Sequence, residues 1–137
     1  MRNQKVVFDG FNKIIEFEAE MKGKIVKREL LVAKSAVAGI VIDDNNRIGL
    51  VSQYRPVVQL HTKEIPAGVL DKESLTPVET LVEELIEECM IPKSEILSIK
   101  ETDIPPFYMM IGNTDAKISI HLIRVKAQTD KVVDDND

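Results

Sequence analysis

The stretch VETLVEELIEECMI, at residues 78–91, sets five glutamates within an apolar repeat of helical period: Glu79, Glu83, Glu84, Glu87 and Glu88. Like charges three or four residues apart on a helix repel by about 0.2–0.5 kcal/mol per pair. A divalent cation between Glu84 and Glu88, which lie one turn apart, would remove that repulsion, and magnesium favours such oxygen ligands. Glutamate is also a good helix former with a solvated head group. The helix alone therefore leaves a metal site and a solvated face as open alternatives.

The helix that would position these carboxylates has a marked beginning. Thr76-Pro77-Val78-Glu79 has the form of a capping box, with proline at the first helical position. Glu84 and Glu88 lie at one edge of a predicted apolar face that comprises Val78, Leu81, Val82, Leu85, Ile86 and Cys89. Pro92 disfavours helical backbone at the residue before it, so the helix is predicted to end near residue 91.

Strand patterns fill the rest of the chain. A hairpin is predicted around Lys22-Gly23, and a second strand–turn–strand unit surrounds the turn at residues 43–46. The predicted strands are residues 11–21, 24–34, 36–42, 47–54, 61–68, 95–102 and 117–125. Strands, one helix and further strands predict an α+β fold with a mixed sheet. The tail at 127–137 is polar and acidic, and we expect it to be frayed.

The composition bounds the class of protein. A chain of 137 residues predicts a single domain, 1–137, and a single cysteine excludes an internal disulfide framework and favours a reducing cytoplasm. The chain shows no secretory signal and no apolar run of about 18 residues, so no membrane partner is expected. A net charge of −5 argues against nucleic acid as a partner. It leaves phosphate ligands open, since a bound metal reverses the local sign.

Several stretches together resemble a known family. Pro66-Ala67-Gly68, a loop and the segment ELIEE at 84–88 resemble the Nudix box. RELLVAKSAVAGIVI, SQYRP, KEIPAGVLD and PPFYMMIGNTDAKISIHLIRV resemble the ADP-ribose pyrophosphatase branch of that family, so the similarity runs from about Arg28 to Val125. It implies an α/β/α sandwich with a mixed sheet, shortened at the C-terminus. N-terminal strands at 1–33 would build a homodimer, 34–126 would form the Nudix core and 127–137 the tail.

The resemblance also implies an activity and a site. The reaction would be magnesium-dependent attack of water on a diphosphate bond, with manganese as a substitute; ADP-ribose would give AMP and ribose 5-phosphate. The resemblance assigns Glu84, Glu87 and Glu88 as catalytic and metal-binding residues, with the carbonyl of Ala67 facing the same ions. Arg55, Glu64 and Gly68 would bind the substrate, and Glu64 would also join the metal site through water.

Four positions depart from the family pattern. Leu75 stands where the first box glutamate would align, with Glu73 as a substitute from a shifted loop. Glu83 replaces an arginine that orients the glutamates, and Met90 replaces a glycine, which predicts a helix that continues to Pro92. Ala116 stands where the branch has a glutamate that positions the water, with Asp115 next to it. An alternative is therefore a nucleotide- and metal-binding module without effective turnover, and a third is a structural dimer whose acidic helix is solvated.

Other residues have simpler interpretations. Cys89 is predicted to lie in the core, and His61 and His121 are read as ordinary histidines rather than zinc ligands. The segment Phe107-Tyr108-Met109-Met110 could pack on a nucleobase or on the core. Asp103 and Asp115 could assist a metal or form turns.

Overall fold

The computed structural model describes residues 1–128 and 134–135. The strands in chain order are β1 (Arg2–Asp9), β2 (Lys13–Met21), β3 (Lys24–Val32), β4 (Ala36–Asp43), β5 (Ile48–Gly49), β6 (Val51–Arg55), β7 (Leu60–Glu64), β8 (Ala67–Val69), β9 (Ile96–Glu101), β10 (Phe107–Tyr108), β11 (Lys117–Val125) and β12 (Asp134–Asp135). One α-helix, α1 (Pro77–Glu87), and a 3₁₀ turn (Lys93–Glu95) complete the described elements. The predicted frayed tail falls largely on 129–133 and 136–137, outside the described residues.

The chain divides into two compact units, of which the first comprises Met1–Ser35 and Phe107–Ile118. In it, β1, β2 and β3 form an antiparallel sheet in that order. Lys22 and Gly23 both have positive φ and connect Met21 to its partner Lys24, which is the two-residue turn that suits strand twist. The predicted hairpin is therefore confirmed, and β1 adds a third strand to it.

The second unit comprises Ala36–Pro106 and continues from Ser119. Its main sheet is built on β4, which pairs with β5 and β8 along one edge and has β11 as its other neighbour, with β9 beyond β11. In a smaller sheet, β6 pairs with β7 in the antiparallel sense and with β12 in the parallel sense. This sheet contains both pairing senses, so the predicted α+β class with a mixed sheet is confirmed.

The predicted strand at 47–54 is divided between these two sheets. Asp43 ends β4, and its Oδ1 accepts hydrogen bonds from the N–H groups of Asn45 and Arg47, each at 2.9 Å. β5 then pairs only two residues back onto β4, whereas β6 begins at Val51 and pairs with β7. The turn was predicted correctly, but the strand after it changes partner at Leu50.

The core of the second unit lies between α1 and the main sheet. Gly39 gives room to Ile123 of β11 and to Leu81 of α1, because a Cβ there would lie 2.4 Å from Cδ1 of Ile123 and 3.3 Å from Cδ1 of Leu81. The buried cluster consists of Val37, Val41, Leu81, Leu85, Ile91, Ile123 and Val125. Among the described residues, no helix has the length and apolar character needed to span a membrane.

The helix begins at the predicted residue but ends earlier than predicted. Thr76 and Glu79 form both bonds of the capping box, and Pro77 is the first helical residue. The expected continuation to Pro92 is wrong, because α1 ends at Glu87 and Met90 adopts a left-handed φ of 54°. That conformation costs about 1–2 kcal/mol, but it places Ile91 in the core at 5% exposure, and burying such a side chain contributes about 1.5–3 kcal/mol.

Candidate functional site

The inward face of α1 is not the face that its apolar residues predict. Val78 and Ile86 are 37% and 44% exposed, while the buried residues are Thr80, Leu81 and Leu85. At about 100° per residue, the centre of the buried arc falls between Glu84 and Glu88, about a quarter turn from the centre of the apolar face. The helix therefore exposes two aliphatic side chains and turns two carboxylates towards the protein.

Glu84 packs directly on the Pro66–Gly68 bend. A Cβ on Gly68 would lie 2.6 Å from both Cγ and Oε1 of Glu84, and 2.9 Å from Cγ2 of Thr80. Gly68 lies in β8 opposite Val37, and the Pro66 carbonyl accepts a 2.9 Å hydrogen bond from the Gly39 N–H. The absence of a side chain at residue 68 is thus what lets the Glu84 carboxylate lie against the backbone.

The electrostatics of Glu84 are unfavourable in its ionised form. Burial raises the pKa of the Glu84 carboxyl to about 7, and the carboxylates of Glu88, Glu87 and Glu83 add to the effect, while Lys72 opposes it. Burial penalises a charge that lacks a close partner of opposite sign. A divalent cation would supply that charge, so the residues at this bend fit a magnesium ion held by oxygen ligands.

The other predicted metal residues are distributed around Glu84. Glu88 is half-buried and its N–H donates to the Glu84 carbonyl at 2.8 Å, whereas Glu87 is exposed and Ala67 is exposed at the bend. Within residues 1–128, no three histidine, cysteine, aspartate or glutamate side chains form a group arranged to hold an ion. Magnesium typically takes one or two carboxylates and completes its shell with water and phosphate oxygens. The structure therefore turns Glu84 and Glu88 towards the protein but does not bring Glu84, Glu87 and Glu88 together as one metal-binding group.

Glu79 and Glu83 have other partners. The Glu79 carboxylate accepts hydrogen bonds from the N–H and the hydroxyl of Thr76, and these bonds lower the pKa of the Glu79 carboxyl. Glu83 forms an ion pair with Lys72, with Nζ 2.6 Å from Oε2. Two of the five glutamates thus act in helix capping and in a loop contact.

Arg55 and Glu64, predicted to bind phosphate and a metal-bound water, are paired with each other. Nε and Nη2 of Arg55 donate to Oε1 and Oε2 of Glu64 at 2.8 and 2.6 Å, and the Thr62 hydroxyl also donates to Oε1. The Arg55 guanidinium first, and then Thr62, lower the pKa of Glu64 to about 2. Sequence reasoning missed Thr62, although its spacing two residues before Glu64 places both on one face of β7.

The next residues are those at the other positions that depart from the family pattern. Ala116 is 2% exposed, and its N–H donates to the Thr114 hydroxyl at 3.1 Å, while Asp115 is exposed. Glu73 is exposed and Leu75 is half-buried in the loop before α1. Ala116 therefore presents no functional group for catalysis.

The histidine and cysteine side chains have separate structural environments. His121 in β11 is 3% exposed, and neither ring nitrogen has a hydrogen-bond partner among the described residues. His61 stacks at a tilt on Tyr54, with ring centroids 5.2 Å apart. Cys89 was predicted to lie in the core; it is partly buried and packs against the core. Burial raises the pKa of its thiol to about 12.

The segment that could bind a nucleobase is exposed. Phe107, Tyr108, Met109 and Met110 are each 43–52% exposed. The Lys117 ammonium lies 5.0 Å from the centre of the Tyr108 ring, a cation–π distance. Both interpretations left open by the sequence, packing on a nucleobase and packing on the core, therefore stay predictions.

Comparison with known proteins supports the resemblance. The M. tuberculosis (strain ATCC 25618 / H37Rv) ADP-ribose pyrophosphatase is 34% identical over 100 residues, 73% of this chain and 46% of that protein. The Bacillus subtilis (strain 168) ADP-ribose pyrophosphatase is 32% identical over 120 residues, 85% of this chain and 60% of that protein. This chain is similar to ADP-ribose pyrophosphatases. That similarity supports a Nudix-like relationship.

A third relative and the extent of the matches complete the comparison. The methanol dehydrogenase activator of Bacillus methanolicus is 42% identical over 66 residues, 48% of this chain and 35% of that protein. The chain spans about half the length of the curated relatives it matches. No family model matches the chain.

Proposed function

We propose that this chain is a Nudix hydrolase domain that cleaves the diphosphate bond of ADP-ribose or a similar nucleoside diphosphate derivative. ADP-ribose would give AMP and ribose 5-phosphate. The observation that carries the proposal is the Glu84 carboxylate, packed against Gly68 with a pKa raised to about 7. Similarity to two ADP-ribose pyrophosphatases supports the same reaction class.

Magnesium, with manganese as a substitute, is the proposed cofactor. Glu84 and Glu88, the two carboxylates that α1 turns towards the protein, would hold it with water and phosphate oxygens; Glu87 and the Ala67 carbonyl are assigned to the same ion by the resemblance alone. When bound, such an ion polarises phosphoryl oxygens and lowers the pKa of a water molecule. The contribution of the chain is to keep the Glu84 carboxylate packed against Gly68, partly buried and turned away from bulk solvent. This placement argues against the structural alternative of a solvated acidic face.

Substrate binding is assigned to Arg55, with Glu64 and Gly68. Guanidinium N–H groups bind phosphate oxygens well, and Glu64 fixes the orientation of the Arg55 guanidinium through two hydrogen bonds. This assignment depends on the ligand being a nucleoside diphosphate derivative.

A homodimer through the N-terminal strands is the proposed assembly, in the cytoplasm. All eight residues of β1 are exposed, including Val6, Val7 and Phe8 at 48%, 48% and 55%. Val6, Val7 and Phe8 are apolar side chains that an interface could cover, and large exposed apolar patches commonly mark protein interfaces. A second copy of the same sheet is the partner that the resemblance implies.

A binding module without effective turnover is the second candidate. It is favoured by Ala116, which is buried and has no carboxylate, and by Glu83, which pairs with Lys72. Such a module would bind nucleotide and metal by the same residues and release little product.

One assay separates these candidates. The protein is incubated with ADP-ribose and magnesium, AMP is quantified, and binding is measured in parallel by calorimetry. We expect slow release of AMP that EDTA abolishes. Binding without AMP would support the module, and the absence of both binding and AMP would contradict the proposed function.

A further inference from the structure

A second contact joins the segments that Gly68 and Glu84 already connect. Lys72 lies four residues after Gly68, in the loop before α1, and Glu83 precedes Glu84 in the helix. The Lys72 ammonium and the Glu83 carboxylate form an ion pair at 2.6 Å. The loop and the helix are thus held together at two adjacent points, one of them a tight packing contact and the other an ion pair.

The backbone fixes the position of Lys72. The Leu75 N–H donates to the Lys72 carbonyl at 3.1 Å, which closes a turn, and the Asp71 N–H donates to the Val69 carbonyl at 3.0 Å. Leu70, just before this turn, packs against the buried core. Lys72 is therefore presented to the helix by an ordered connection that is anchored on both sides.

The charge of Lys72 interacts with the carboxylates of α1. Glu83 first, and then Glu87 and Asp71, raise the pKa of the Lys72 ammonium, and Lys72 in turn opposes the rise in the pKa of Glu84. Lys72 therefore offsets part of the repulsion among carboxylates that must stay close together.

We propose that Lys72, held by Glu83, is a positioning residue for the metal site. The ion pair keeps the loop docked on the helix, and this keeps Glu84 against Gly68 in an arrangement that accepts a divalent cation. This inference rests on the proposed function, because it assigns a purpose to the pair only if Glu84 binds a metal. Lys72 acts through Glu83 and the loop, without ligating the metal.

A simple charge effect makes the opposite prediction for one variant. If Lys72 acted only through its charge, Lys72→Glu would strengthen cation binding and Glu83→Lys would weaken it. If the pair positions the loop, both single substitutions weaken binding, because each places like charges side by side. The double variant K72E/E83K restores an ion pair with reversed polarity and should restore binding.

The test measures manganese affinity by electron paramagnetic resonance, without substrate. We expect each single variant to weaken manganese binding by about threefold, the scale of a partly exposed ion pair, with the double variant and Lys72→Arg within about twofold of the unmodified protein. The matched control is the swap K27E/E16K, which reverses an exposed ion pair of 3.2 Å in the first unit. It should leave manganese affinity unchanged.

Hydrogen exchange at the Leu75 amide, measured without metal, provides the second readout. We expect faster exchange in both single variants and recovery in the double variant, because this amide closes the turn that carries Lys72. Tighter manganese binding by Lys72→Glu, or unchanged affinity in all variants, would overturn this inference alone. No manganese binding by the unmodified protein would overturn the proposed metal site and this inference with it.

Discussion

At the residue scale, Glu84 is placed where its charge is unfavourable for folding. Its folded-state pKa of about 7 lies above the ordinary value of 4.5. Glu84 therefore binds more protons in the folded protein than in the unfolded chain between these values, so its contribution to stability falls as pH rises from about 4.5 to about 7. A residue that is retained at a cost to stability is typical of functional sites.

Glu84→Gln should therefore stabilise the metal-free protein at high pH. We expect a gain on the order of 1 kcal/mol at pH 8, discounted from the full shift because the group is partly exposed, and no gain at pH 4.5. Urea unfolding in EDTA at both pH values measures it. Glu20→Gln, at an exposed position of β2, is the control and should change neither value. Equal stability of Glu84→Gln and the unmodified protein at pH 8 would contradict this account.

At the element scale, the helix was predicted well where its signals are local. The capping box at Thr76 and Glu79 needs only neighbouring residues, so the sequence predicts it. The rotation of the helix is set by contacts with Gly68 and Gly39, which are distant in sequence, and periodicity alone predicts the wrong face. The Arg55–Glu64 pair could not be predicted from the sequence either, because it depends on the register of β6 and β7.

The end of the helix shows the same limit. Met90 has a left-handed conformation that its side chain disfavours, because the burial of Ile91 determines where the chain turns. Local preference predicted a longer helix, and the core determined a shorter one.

Met90→Gly should increase stability. Glycine adopts positive φ without the penalty that methionine incurs, so we expect a gain of about 1 kcal/mol in the free energy of unfolding. Chemical denaturation measures it. Met90→Ala, which keeps a Cβ at the same φ, is the matched control and should show no comparable gain. A loss of stability in Met90→Gly would contradict the assignment of strain to this residue.

At the scale of the whole molecule, the first unit has little buried surface of its own. The three-stranded sheet of β1, β2 and β3 has no fully buried residue, so its apolar side chains are at most partly covered. The α+β class was predictable from the order of element patterns. An assembly partner was suggested only by the resemblance.

Phe8→Asp should shift the proposed dimer towards monomer. A charge on an exposed apolar position of β1 would be desolvated in the interface, which is unfavourable. Sedimentation velocity over a concentration series measures the change, with Lys5→Glu on the same strand as a control. A monomeric unmodified protein at all concentrations would refute the dimer.

The most direct test of the central claim is a manganese titration of the unmodified protein and Glu84→Gln, followed by electron paramagnetic resonance. We expect binding by the unmodified protein and a loss of affinity of at least about tenfold in Glu84→Gln, because a charged ligand is removed. Glu101→Gln, at an exposed position of β9, should bind as the unmodified protein does. Equal affinity of Glu84→Gln and the unmodified protein would contradict the claim that the carboxylate at the Gly68 bend holds the metal.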